Sequence, residues 1–519
     1  MNLGQLLTNA ARRSPLAPAV TQDERRLTYA ELDARVDALA HGLGELGLVQ
    51  GDRVAVLMNN CPELLETMFA CFKAGLCWVP LNARFTSSEV EFQVTDCEAR
   101  AVISGAGLHS VVDGADLPGV HLISTAELPA GGVAYDDVVR SGEGRGNAVV
   151  QVDRDALAWL FYTSGTTGRP KGAMLTHAVL DFVTASWLAD LTPMDEGAAT
   201  LHAAPLTHGA GFHAIATTAR AGHHVMTGPG PFRPADVFDL LRRERIDNTW
   251  LVPTQIIMLA DAAVQSPVEL PDLRHIVYGG APFPPAELRR AVETLGPVLV
   301  QLYGQGETPM TATVLPAAAH TAALADPASD RFASAGFARP GMDVRVFDAD
   351  DRELPPGEVG EVVVRGPAVM LGYWNRPDAT AETLRGGWLH TGDLGRMDDH
   401  GFLYLLDRAK DLIITGGSNV YAVEVEAALI SHAAVRDVAV VGVPDRTWGE
   451  LVVAVVVTDD DAGAVESLLA EYAAHELAPY KRPRRYAFVP ELPRNPTGKV
   501  LKRELREQLA DSDRKTTTS

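Results

Sequence analysis

The stretch Tyr162-Thr163-Ser164-Gly165-Thr166-Thr167-Gly168-Arg169-Pro170-Lys171-Gly172 gathers hydroxyls, glycines and one lysine directly after an apolar run. Together these residue types can hold a phosphate. Glycine lets backbone N–H groups turn toward an anion, Ser and Thr hydroxyls donate further hydrogen bonds, and lysine supplies a mobile point charge for outer phosphates. The Walker pattern G-x-x-x-x-G-K-[ST] is not met, because Lys171 lies three residues beyond Gly168 and is followed by Gly172. A Gly/Thr-rich hairpin turn with no ligand is the alternative for this composition. The run Leu157 to Tyr162 predicts a buried strand that delivers the loop to a sheet edge.

Further segments follow in order. Tyr278-Gly279-Gly280-Ala281-Pro282 comes after the strand-like Arg274 to Val277, and Gln301-Leu302-Tyr303-Gly304-Gln305-Gly306-Glu307 after Val298 to Val300. Leu389-His390-Thr391-Gly392-Asp393, Asp407-Arg408-Ala409-Lys410-Asp411 and Asn495-Pro496-Thr497-Gly498-Lys499 complete the series. In this order they resemble the motifs of the adenylate-forming superfamily, which includes acyl-CoA synthetases, adenylation domains of peptide synthetases and beetle luciferases. The resemblance spans essentially the whole chain and falls in the acyl-CoA synthetase branch. It implies ATP, Mg2+ and coenzyme A, an acyl-adenylate formed with release of pyrophosphate, and then an acyl-CoA thioester formed with release of AMP.

The resemblance also implies roles. Thr163, Ser164, Gly165, Thr166, Thr167, Gly168 and Lys171 match the phosphate loop, and Gly280, Ala281 and Pro282 the adenine-binding turn. Gln301 presents its amide to the adenine amino group, Tyr303 offers an aromatic face, and Gly304 belongs to the same segment. Asp393 accepts hydrogen bonds from the ribose diol, for which a carboxylate is a natural partner, and Arg408 reaches the ribose from the other side. Helix capping for Asp393 and a surface ion pair for Arg408 are the structural alternatives. Glu307 cannot usefully face phosphate unless a divalent ion intervenes, so magnesium is implied, with Thr163 as second protein ligand. Lys499 matches the lysine that bridges carboxylate and α-phosphate as negative charge grows; an exposed structural lysine is its alternative.

For the acceptor step, Lys410 occupies the hinge position, and Gly416 and Gly417 allow close approach of a thin pantetheine arm. Arg482 and Arg484 align with residues that contact the CoA nucleotide phosphates in some relatives. They stand in a basic cluster between Tyr480 and Arg503 that reads either as a solvated face or as a docking surface for a phosphorylated ligand. Pro205 to His213 resembles the segment lining the acyl pocket, with His208 as a wall, gate or catalytic-site residue. It lacks the aspartate that amino-acid-activating relatives set against an α-ammonium group, so an aromatic or medium-to-long fatty acid is expected. One departure stands out: Gly306 precedes Glu307 where relatives carry Thr. Either Thr308 supplies the missing hydroxyl or the small residue widens the acyl pocket. Rival readings are a free-standing adenylation enzyme that loads a carrier protein and a non-catalytic nucleotide-binding regulator.

Composition sets bounds on these readings. A chain of 519 residues is too long for one compact core. The net charge of -22 argues against nucleic acid as a partner and against anionic lipid. Cys61, Cys71, Cys77 and Cys97 form no C-x-x-C pair, which predicts free thiols in a reducing cytoplasm. No stretch has the apolar length of a membrane span, and a homodimer is left open.

The elements that must position these residues read as α/β. Thr28-Tyr29-Ala30-Glu31 is a capping box opening a helix through Leu43, Arg53 to Met58 is a strand, Pro62 to Ala74 a helix and Leu76 to Pro80 a strand. The alternation recurs at Ala101 to Ile103, Trp250 to Val252, His275 to Tyr278 and Val298 to Tyr303. Ala130 to Asn147 is expected to be an exposed connector, and Asp511 to Ser519 to fray. The expected architecture is a large multi-subdomain N-terminal domain with mixed sheets and helices over residues 1–407, a hinge at 408–411, and a small mobile α/β C-terminal domain over 412–519.

Overall fold

A computed structural model describes residues 1–163, 170–228, 230–326, 328–408, 411–415, 418–445, 448–495 and 498–517, and for residues 408, 418 and 510–517 the backbone alone. The chain divides into two compact units. One comprises Met1–Val344, Val363–His390 and Gly401–Leu403, and the other Arg345–Val362, Thr391–His400 and Tyr404–Ser519.

The first unit is α/β, with a seven-stranded and a nine-stranded sheet. In the seven-stranded sheet the strand Arg53–Leu57 lies between Cys77–Leu81 and Ala99–Ser104, parallel to both. Parallel neighbours need a crossover, and the helix Pro62–Ala74 supplies one. Pro62 sits in its first turn, where a missing N–H costs nothing, and Gly75 ends it in the left-handed region at φ 68°. Cys77–Leu81 is buried at every position, as expected of a strand covered on both faces. The helix Tyr29–Glu45 begins with the full capping box: Glu31 N–H donates to the Thr28 hydroxyl and Thr28 N–H to the Glu31 carboxylate. In the nine-stranded sheet the strands Ala199–His202, Asn248–Leu251, His275–Tyr278 and Leu299–Gln305 run parallel, and Thr308–Leu315 returns antiparallel.

The segment expected as an exposed connector is instead partly structured and packed. It carries the short strand Val133–Ala134 and the helix Tyr135–Gly142, with Tyr135, Val138 and Val139 buried. Those three apolar residues at i, i+3 and i+4 make a short helical face, and the glycine-rich flanks mask it in the sequence. The Tyr135 hydroxyl donates to Glu66, which the Arg35 guanidinium also holds.

In the second unit the strands Asp437–Asp445 and Gly449–Val457 pair antiparallel, and Arg485–Phe488 adds in parallel. The helices Ala422–Ile430 and Ala462–Glu476 contribute Val425, Leu429, Val465 and Leu469 to the apolar layer on one sheet face. Leu505 and Leu509 pack on the other. The helix Lys502–Thr517 runs through most of the tail expected to fray. Among the described residues no helix is long and apolar enough to cross a membrane.

Candidate active site

The strand Leu157–Thr163 pairs antiparallel with Lys171–Thr176, which sets Thr163 directly across from Lys171. Directly opposed residues of an antiparallel pair share a face, so the hairpin presents the Thr163 hydroxyl and the Lys171 ammonium together. Side chains alternate along the strand. Tyr162 therefore points the other way, into the core, where its hydroxyl donates to Asp96 at 2.7 Å and burial pushes its pKa up. Ser164, Gly165, Thr166, Thr167 and Gly168 lie outside the described residues.

Glu307 stands at the turn between the strands Leu299–Gln305 and Thr308–Leu315 and is 8% exposed. Its Oε1 accepts two hydrogen bonds, from the Thr163 hydroxyl at 2.9 Å and the Tyr373 hydroxyl at 2.7 Å. The Lys171 ammonium lies 4.2 Å from the centre of the Tyr373 ring, within cation–π range. Tyr373 is held there by backbone pairing: Leu371 N–H donates to Met174 O, Met174 N–H to Gly372 O, and Trp374 N–H to Gly172 O. Sequence reasoning did not single out Tyr373. The aromatic pair Tyr373-Trp374 after Gly372 is its only local signal, and its partners are distant in the chain.

Both hydrogen bonds reach Oε1, so a cation at this carboxylate would be taken by Oε2. A carboxylate beside a hydroxyl suits magnesium, which binds through one or two carboxylates and the phosphates of its substrate rather than in a protein cage. Among the described residues no group of three or more His, Cys, Asp or Glu could form such a cage.

Gln301 and Tyr303 lie on the strand Leu299–Gln305 and share one face. Gly304 has no room for a side chain: a Cβ would stand 2.6 Å from Thr308 O. Gly279 is confined likewise by Leu302 O at 2.5 Å, and Gly280 turns the chain at φ 78° with Ala281 and Pro282 exposed beside it.

His208 is an exposed residue whose imidazole is nonetheless crowded by protein atoms, and the lost solvation holds its pKa below the ordinary histidine value. Its imidazole stacks on Phe161, with centroids 5.1 Å apart and planes at 24°. Gly306 does not widen this region. A Cβ there would lie 2.4 Å from the Thr163 methyl and 2.6 Å from the Phe161 ring, so those groups already fill the space. The Thr308 hydroxyl is buried and has no hydrogen-bond partner among the described residues, so it remains the candidate donor.

In the second unit Asp393 lies within the strand Leu389–Met397, which excludes the helix-capping alternative. Gly392 next to it adopts φ 67° and donates its N–H to Glu361. Arg408 ends the strand Leu403–Arg408, and its side chain, Lys410, Gly416 and Gly417 lie outside the description.

Lys499 is exposed on a tight hairpin. Asn495 N–H donates to Lys499 O, Lys499 N–H to the Asn495 side chain, and Arg494 to Gly498 O. Within the basic cluster Lys481 pairs with Glu424, Arg494 with Asp437 and Lys502 with Glu426. Arg482 donates to Leu477 O and Ala474 O, satisfying carbonyls at the end of the helix Ala462–Glu476. Arg484 is exposed and lies over the Trp448 ring at 3.8 Å.

Residues 7–374 match the AMP-binding enzyme family and residues 424–499 the AMP-binding enzyme C-terminal domain. A feruloyl-CoA synthase from Amycolatopsis is 38% identical over 98% of this chain and 99% of its own. The long-chain-fatty-acid–CoA ligase FadD13 of Mycobacterium tuberculosis is 35% identical over 98% and 99%. Among solved structures, o-succinylbenzoate-CoA synthetase from Bacillus subtilis in complex with its acyl-adenylate intermediate superposes with a TM-score of 0.84, at 30% identity over 96% of this chain and 97% of that one.

Proposed function

The chain belongs to the AMP-binding enzyme family, and we propose that it is an ATP-dependent ligase joining an aromatic or fatty carboxylic acid to coenzyme A. A carboxylate is a poor acyl donor because its oxygen leaves badly. In the first half-reaction that oxygen attacks the α-phosphorus of ATP, the bond to the β-phosphate breaks and pyrophosphate departs, giving an acyl-adenylate. In the second, the CoA thiol gives up its proton, its sulfur attacks the acyl carbon, and the bond to AMP breaks.

Both reactants of the first step are anions, so the protein's task is to hold them in line and offset their repulsion. Lys171 and the hydroxyls and glycines of the loop it closes bind the phosphates. Glu307 and Thr163 would hold a magnesium ion, which would supply charge neutralisation for the phosphates. Gly280, Ala281, Pro282, Gln301, Tyr303 and Gly304 hold the adenine, and Asp393 and Arg408 the ribose. Lys499 serves as the cation between carboxylate and α-phosphate. Residues 408–411, with Lys410, form the hinge between 1–407 and 412–519. Gly416, Gly417 and Arg484 serve the CoA arm, with Arg482 securing the helix beside it. Four free thiols and the intracellular substrates support a cytoplasmic setting.

The observation that carries this reading is the arrangement at Glu307, whose carboxylate is held by Thr163 and Tyr373 while Lys171 lies over the same tyrosine. Purified protein given ATP, magnesium, CoA and a panel of aryl and aliphatic acids should release pyrophosphate and AMP and form a thioester. Acylation of a phosphopantetheinyl carrier protein with no CoA thioester would assign the acceptor to the carrier instead. Nucleotide binding with no pyrophosphate release from any acid would favour a regulator.

A further inference from the structure

Gly306 and Phe161 are coupled by volume. No side chain at 306 can coexist with both the Phe161 ring at 2.6 Å and the Thr163 methyl at 2.4 Å, since real Cβ contacts essentially never fall below 3.0 Å. Neither neighbour moves away easily. Thr163 has its rotamer set by the bond from its hydroxyl to Glu307, which aims the methyl at Gly306. Phe161 is packed among rings, 5.7 Å from Phe212, 5.9 Å from Trp159 and 5.1 Å from His208. The rings of Phe161, Phe212 and His208 lie within 29° of parallel where they meet at Phe161. The stack ends at His208, whose surface is exposed.

We propose that Phe161 is a specificity-determining residue of the acyl site: it takes the volume vacated at Gly306, backs the imidazole of His208, and so presents a flat ring face that selects planar aryl acids over flexible aliphatic ones. This rests on the ligase reading above and on the placement of His208 at the acyl pocket. A planar conjugated tail laid on the exposed imidazole extends the stack, whereas a saturated chain gains no ring-to-ring contact and must give up rotational freedom to lie flat. The desolvated imidazole stays neutral near neutral pH, so its face suits an uncharged aromatic tail.

The test compares kcat/KM for pyrophosphate release with an arylpropenoic acid and with a straight-chain saturated acid of equal carbon number, using the full-length protein. The wild type should favour the aryl acid. Phe161→Leu should lower the aryl-to-aliphatic ratio about ten-fold while turnover of the aliphatic acid persists, and His208→Ala should lower the same ratio whatever it does to the overall rate. His208→Phe should retain the ratio, because the plane of the ring and not its proton is what counts. Gly306→Ala alone should lower the melting temperature and the rate with both acids, and adding Phe161→Ala and Thr163→Ser should recover the melting temperature, a non-additivity that reports the shared volume. An unchanged ratio in Phe161→Leu, a wild-type preference for the aliphatic acid, or a Gly306→Ala variant as stable as the wild type would overturn the inference and leave the ligase reading intact. Absence of pyrophosphate release by the wild type with either acid would overturn the ligase reading and this inference with it.

Discussion

The Tyr373 hydroxyl donates to Glu307 Oε1 at 2.7 Å, the same oxygen that the Thr163 hydroxyl reaches at 2.9 Å. Two donors on one carboxylate oxygen fix the rotation of the group. A hydrogen bond to a charged acceptor contributes about 1.5–3 kcal/mol, so Tyr373→Phe should lower kcat/KM for pyrophosphate release roughly ten- to hundred-fold. The loss should be accompanied by a higher magnesium concentration at half-maximal rate, because the carboxylate is then free to turn. A magnesium titration of wild type and variant checks this, and identical curves would remove Tyr373 from the site.

Gly42 and Gly44, two residues apart on the helix Tyr29–Glu45, should respond oppositely to alanine. A Cβ on Gly42 would stand 2.0 Å from the carbonyl oxygen of Val138, whereas one on Gly44 meets nothing within 4 Å. Gly42 is therefore a point where this helix and the helix Tyr135–Gly142 touch backbone to backbone. Gly44→Ala should stabilise the protein by about 0.5–1 kcal/mol through helix propensity. Gly42→Ala should destabilise it by about 3 kcal/mol or more, since backbone must shift. Thermal unfolding of the two variants reads the opposite signs directly.

A buried set of histidines predicts acid sensitivity. His202 donates to or accepts from His224 at 2.9 Å, His224 meets the Thr218 hydroxyl at 3.0 Å, and His213 stacks on Trp187. Burial lowers all three pKa values, those of His213 and His224 to about 3 from an ordinary 6.5. For His213, Asn248 lies close enough to favour the protonated ring slightly, but neither ring nitrogen has a partner in hydrogen-bonding geometry among the described residues, and burial dominates. Between pH 6.5 and pH 3 the unfolded chain binds protons that the folded chain refuses. Stability is thus full above the unfolded value and falls as pH drops through that window, by roughly 1.4 kcal/mol per pH unit for each histidine. His213→Phe keeps the stack on Trp187 and removes one proton site, so denaturant midpoints measured at about pH 7.5 and about pH 5 should converge relative to the wild type. An unaltered pH slope would place the sensitivity elsewhere.

How far the residues announced this arrangement depends on the distance over which each signal acts. The helix Pro62–Ala74 was expected with the bounds it has, because proline in its first turn and Gly75 after its last are local instructions. The helix Tyr135–Gly142 was missed because eight residues carry too few turns for periodicity to stand out. Tyr373 was missed for a different reason: it reaches Glu307 across 66 residues, and nothing near it in the chain marks the partner. The same holds for Gly306, whose meaning depends on Phe161, a residue that reads locally as one more apolar position in a buried strand.

Lys499 is the residue on which the two half-reactions should separate. On either side of it Arg494 bridges to Val500, the Asn495 side chain accepts the Lys499 N–H at 2.8 Å, and Gly498 has φ 87°, a conformation that L side chains resist. In Lys499→Ala the first half-reaction loses its cation where charge develops at the α-phosphate, and removal of one such group costs roughly 10²–10³ in rate. The second half-reaction expels AMP under attack by a thiol and does not bring two anions together, so a chemically supplied acyl-adenylate should still become thioester at near wild-type rate. Asn495→Ala loosens the loop but keeps the ammonium and should give a smaller loss in the first step alone. Pyrophosphate release from acid and ATP, measured beside thioester formation from the supplied adenylate, distinguishes the outcomes. Equal slowing of both steps in Lys499→Ala would assign the lysine to binding, and unimpaired adenylation would take it out of the chemistry.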